Sequence, residues 1–219
     1  MNKILILLFI SAFAALAQAE VTRKVTATHY YEGNPKKEMT FYNDQGVEAA
    51  KEFYHIDGRV MGVKGSIPDG EVFEYYGSGK IKSTAYYNSN LMQEEKEFYA
   101  NGVLKTHTVN LWSGRNLISS SYTMYYSNAK KQQEMQMDSN GDGTSKLYYE
   151  TGELFETAEL KDAYREGPVT QYYKNGKVML SGFMKEDMLD GPAKEYDSDG
   201  QLARKVIYRE GEEIKNIKK

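Results

Sequence analysis

The chain has 219 residues, with 28 Lys and Arg against 31 Asp and Glu, 19 tyrosines and no cysteine. The missing thiol excludes disulfides, cysteine nucleophiles and cysteine-ligated zinc. A formal charge of -3, with both signs interspersed along the chain, gives no basic footprint for nucleic acid or anionic lipid.

Residues 1–19 open with Met1-Asn2-Lys3, continue through an apolar run from Ile4 to Leu16, and end in Ala17-Gln18-Ala19. A basic start, a hydrophobic stretch and a small-residue site predict a secretory signal peptide cleaved after Ala19. The 13-residue run is shorter than the roughly 20 residues a membrane-spanning helix needs. No later segment is long and apolar enough to span, so the mature chain is expected to have no integral membrane span. Loss of Lys3 and of no acid would take the charge from -3 to -4. Export without disulfides favours a periplasmic, cell-surface or secreted protein. A lead segment at 20–37 follows, then repeats over 38–215, then a polar tail at 216–219.

The repeats are read by aligning an aromatic with a glycine four residues on. The aromatics are Tyr42, Tyr54, Tyr75, Phe98, Tyr125, Tyr148, Tyr172 and Tyr196. The partners are Gly46, Gly58, Gly79, Gly102, Ala129, Gly152, Gly176 and Gly200. Asn175-Gly176 and Asp199-Gly200 suit positive φ, and predict tight type I′ hairpins. An aliphatic returns two residues later, as at Ile81, Leu154 and Val178, so strand–turn–strand is the plain reading. A second punctuation falls at Gly70, Gly143, Gly167 and Gly191, giving two strands and two turns per copy. The longest interval contains Leu111-Trp112-Ser113-Gly114-Arg115, where a bulge or a longer loop is expected. No stretch of the mature chain holds a helical apolar period, so the predicted fold is all-β, an elongated antiparallel sheet of hairpins.

The phrases Tyr172 to Lys177 and Tyr148 to Gly152 resemble the MORN-repeat variant family (membrane occupation and recognition nexus). The resemblance extends over roughly residues 38 to 211. It implies an elongated sheet of hairpins used for interaction, in a family whose bacterial relatives include antitoxin-like proteins, while the signal-peptide pattern would make this chain an exported one.

Alternation along a strand puts the first aromatic slot on the buried face. The next slot, Tyr76, Tyr99, Tyr126, Tyr149 and Tyr173, is then half exposed, forming a ladder about 40 Å long at two strands per copy. Tyrosine offers rigid apolar area with a hydroxyl, so these five are the candidate binding residues. Shielding of a thin sheet is the alternative use of the same rings.

Catalytic patterns are absent from the sequence. His29, His55 and His107 have no metal-ligand spacing, and no Gly-x-Ser-x-Gly elbow occurs. Glu94-Glu95 and Glu212-Glu213 read as solvated pairs. Asp138-Ser139-Asn140-Gly141-Asp142-Gly143 copies half of a calcium loop, but its twelfth position is Tyr149, so a turn is expected and no metal or other cofactor. The expected function is non-catalytic binding of a partner protein or a cell-envelope polymer. The alternatives are a repeat-type immunity protein, or a glycan-active enzyme with two carboxylates converging across copies.

Overall fold

The computed structural model describes residues 20–27, 37–54 and 60–217. The predicted signal peptide, His29, His55 and the turn through Asp57 and Gly58 lie outside the described residues. No helix occurs among the described residues.

The N-terminal part is a meander of β1 (Val21–Ala27), β2 (Lys37–Tyr42), β3 (Glu48–Tyr54) and β4 (Val60–Gly65). The rest is one long antiparallel meander. It runs through β5 (Gly70–Tyr75), β6 (Ile81–Asn88), β7 (Leu91–Phe98), β8 (Leu104–Ser113) and β9 (Asn116–Tyr125). It continues through β10 (Lys131–Asp138), β11 (Gly143–Tyr148), β12 (Leu154–Lys161), β13 (Tyr164–Tyr172) and β14 (Val178–Lys185). It closes with β15 (Met188–Leu189), β16 (Gly191–Tyr196), β17 (Leu202–Arg209) and β18 (Glu212–Ile217). The two meanders join where β1 pairs in parallel with β5, Val21 opposite Val72. The result is a single open, 18-stranded sheet with β4 and β18 at its edges.

Two kinds of turn alternate: the first stands where the sequence put it but is of another type, and the second falls a few residues ahead of the second-punctuation glycines. The Tyr-x-x-Gly turns bond Gly176 N to Tyr173 O at 2.8 Å and Tyr173 N to Lys177 O at 2.9 Å. Positive φ falls on Gly176 (80°) and not on Asn175, which a type I′ turn would require. These are type I turns closed by a left-handed residue, and each shifts the register by one, as between Gln171 and Tyr172. The asparagine acts differently from expectation: Asn175 Oδ1 accepts from Lys177 N at 3.0 Å. The true type I′ turns are Ser89-Asn90, Asp162-Ala163, Glu186-Asp187 and Glu210-Gly211, with both φ values positive in each.

Between β8 and β9 the bulge predicted from the long interval is present, at Leu111/Trp112. The extra length goes into two ten-residue strands rather than a loop. Ala129, which stands where other copies carry glycine, adopts φ 65°. A Cβ in that region is strained by about 1 kcal/mol. Ala129→Gly is therefore expected to raise the melting midpoint by about 2–4 °C, measured by thermal scanning.

The expectation that the first-slot rings are buried is wrong. Tyr75 is 40% exposed, and Tyr42, Tyr54, Phe98, Tyr125, Tyr148, Tyr172 and Tyr196 are half-buried. A ring at the last strand residue abuts the turn, at the margin of the sheet; among the described rings, Tyr54 differs in packing against the N-terminal apolar cluster. Burial goes instead to a row of small side chains at mid-strand. Val21, Val72 and Ala85 are cross-strand neighbours at one end, and Ala158 and Val169 at the other. Two apolar clusters form on this face, one around Phe41, Val72 and Tyr87, the other around Val169, Leu180 and Met184. Between them, over β7–β11, the fully buried residues are Thr106 and Ser145, so the middle of the sheet carries no buried apolar cluster.

Candidate functional site

The five second-slot tyrosines make one repeated contact. Each hydroxyl donates to the carbonyl of the first-slot aromatic in the following copy. Tyr76 reaches Phe98 O at 2.6 Å, and Tyr99, Tyr126, Tyr149 and Tyr173 reach Tyr125, Tyr148, Tyr172 and Tyr196 O at 2.8 Å. All five rings are half-buried. The structure thus brings the candidate residues into a row, and ties each to its neighbour. Phe155 meets the Tyr149 ring edge-on at 5.1 Å, and Lys174 Nζ lies 5.4 Å from its centroid. Asn128 and Asn175 add bonds of 3.0 and 2.9 Å to Glu150 O and Ser198 O of the next turn. Tyr173→Phe is expected to lower stability by about 1 kcal/mol without loss of the sheet, read by chemical denaturation.

The opposite margin is stitched by acids just ahead of the second-punctuation glycines. Asp69 accepts from Ser89 N at 2.6 Å, Asp142 from Asp162 N at 3.1 Å and Glu166 from Glu186 N at 3.2 Å. Each acid therefore caps the type I′ turn of its own copy, 20 residues on. The signal was present as an acid preceding glycine at the repeat period, but composition alone gave it no role. Asp138, in the loop that resembles a calcium site, caps its own turn through Asn140 N at 2.8 Å and Asp142 N at 3.0 Å. Among the described residues no three His, Asp or Glu side chains gather to hold a metal ion.

One charged network lies deep in the protein. Arg23 on β1, with its side chain 1% exposed, donates through Nη2 to Ser83 Oγ at 3.0 Å and to Glu95. Burial opposes its charge, but Glu95 outweighs this and holds the guanidinium pKa above its usual value. Glu94-Glu95 is therefore not a solvated pair. The alternation sends Glu94 out to Lys96 and His107, at 2.7 Å each, and Glu95 inward. Nearby Glu52, 2% exposed, accepts from Tyr54 and, at 3.2 Å, from Tyr87.

Desolvation raises the Glu52 pKa, against the pull of the two hydroxyls and Arg23. The folded state then holds this proton more tightly than the unfolded chain. Its contribution to stability is complete below the ordinary glutamate range, and is lost as pH rises through the raised value. Glu52→Gln cannot ionise, so its melting midpoint is expected to gain on the parent's as pH climbs through that window. A constant offset between the two would show that Glu52 does not titrate there.

Glu52 and Glu95 both line a cavity of about 470 Å³. β3 and β8 are not sheet neighbours, so the cavity exists because the N-terminal meander folds over the face of β6–β9. The contacts of that fold are the Phe41–Tyr87 edge-to-face pair at 5.3 Å and the Tyr87–Glu52 bond. Sequence reading missed this site, since its walls come from copies far apart in the chain.

An open meander in which every copy is bonded to the next defines a tandem β-hairpin repeat protein. The MORN repeat variant matches four segments, 68–89, 141–162, 165–186 and 189–210, and the chain carries this repeat. Each matched segment contains one hairpin running from its acid cap to the turn that it caps. No curated protein matches the chain. Among solved structures, a porin-like protein from Bacteroides uniformis ATCC 8492 is 10% identical, with 91% of this chain and 94% of that one covered. Its TM-score of 0.25 is too low to carry an argument about fold or function.

Proposed function

We propose that the protein is an exported, non-catalytic repeat scaffold that holds a partner protein or an extended cell-envelope polymer along the tyrosine row. The observation that supports this is the pinning of Tyr76, Tyr99, Tyr126, Tyr149 and Tyr173 by the neighbouring copy. A ring whose hydroxyl is already fixed loses little conformational freedom when a ligand lies on it. The spacing of about 10 Å per copy suits a long ligand that repeats or a flat protein surface. Export rests on the signal-peptide pattern, with a mature N-terminus at Glu20, which mass spectrometry of the envelope fraction would detect.

The test uses affinity capture from envelope extract with three forms of the mature protein. Phenylalanine at paired ladder positions keeps the rings and is expected to keep capture. Serine at the same pairs removes the rings and is expected to abolish it, with the β-type CD spectrum retained. Capture by a folded serine variant would end the proposal. Recovery of one dedicated toxin would identify an immunity protein instead, and turnover of a glycan panel would make the protein an enzyme.

A further inference from the structure

We propose that the cavity between the folded-over N-terminal meander and β7–β9 is a binding site for a small amphiphilic cation, a protonated amine on an apolar body. It is separate from the tyrosine row. Its volume, about 470 Å³, is within the range of small-ligand sites, roughly 300–1,000 Å³. Met92, Trp112, Leu117 and Tyr54 supply the apolar lining. Trp112 is anchored by its Nε1, which donates to Met92 O at 2.9 Å, so the indole is held in one orientation.

Charge selects the ligand. The charged groups among the described lining residues are both carboxylates, Glu52 and Glu95. Among the described residues their buried counter-charge is Arg23, which does not line the cavity and bonds to a single oxygen, Glu95 Oε1. Glu52 Oε2 takes both tyrosine hydroxyls, while Glu52 Oε1 and Glu95 Oε2 accept no hydrogen bond from the described residues. Two acceptors beside an aromatic and apolar wall suit an ammonium, which can donate to carboxylate while its carbon body contacts Trp112 and Leu117. An anionic ligand would be repelled by the Glu95 carboxylate, and a neutral alcohol could donate only an uncharged hydrogen bond in place of a charge-assisted one.

Trp112 is the chain's only tryptophan, so its fluorescence reports on the cavity directly. Titration with n-hexylamine is expected to change that emission saturably and to raise the melting midpoint. n-Hexanol and hexanoate should bind at least about tenfold more weakly. Glu95→Gln should weaken the amine by about tenfold, the scale of one charge-assisted bond. Leu117→Phe, which fills the cavity and leaves both carboxylates in place, should abolish binding even if the glutamine variant folds poorly. Equal response to the alcohol, preference for the carboxylate, no response to any probe, or full affinity in Leu117→Phe would each overturn the assignment.

Discussion

Arg23→Met is expected to destabilise the N-terminal end by about 3 kcal/mol, the low end of the cost of breaking a buried ion pair. The change removes the partner of Glu95 and the donor to Ser83, and it leaves Glu52 and Glu95 near one another without a buried counter-charge among the described residues. β1 is also the strand that joins the two meanders, and its pairing with β5 is only Val21 with Val72 and Thr22 with Phe73. Loss should therefore be local. Amide exchange is expected to rise across β1–β7, while β12–β18, built around the separate Val169–Leu180 cluster, keeps its protection. Adding Glu95→Gln to Arg23→Met should recover part of the loss, since a neutral amide needs no cation. A uniform loss of protection along the whole sheet would refute the local account.

Gly143→Ala is the second large effect. A Cβ there would stand 1.8 Å from Gln136 O and 2.9 Å from Met137 Cα, both backbone atoms of the paired strand. Neither can rotate away, so β10 and β11 must separate or slip at the cost of about 3 kcal/mol or more. Gly191 occupies the same place in its copy but has nothing within 4 Å and φ 94°. Gly191→Ala should thus show only the strain of a left-handed residue, about 1 kcal/mol. Denaturant midpoints of the two variants measure the contrast directly. Equal losses would mean that close approach of the strands is not what Gly143 serves.

What was legible in the sequence is what a short stretch of chain decides alone. The Tyr172–Lys177 phrase closes a turn through its own Asn175 side chain and the left-handed Gly176, so period, turn positions and the absence of helix could be read without tertiary context. The five tyrosines were legible as one row, because the repeat places them on equivalent strands. Their hydrogen-bonded partners were not, since each lies 22 to 26 residues away, in the next copy. Burial was misassigned because alternation shows which residues share a face but not which face is covered: on β13 the buried Val169 and the half-buried Gln171 share one face, and Tyr172 lies on the other.

Sequence by itself determined that this is a ladder of hairpins, because turn chemistry acts within a few bonds of the backbone. Tertiary structure alone decided that the N-terminal meander folds over β6–β9. That placed Arg23 against Glu95, 72 residues distant, and enclosed Glu52, Trp112 and Leu117 around one cavity. Such a meeting depends on the accumulated twist of many strands and on desolvation shared between them, and neither is a property of any single repeat.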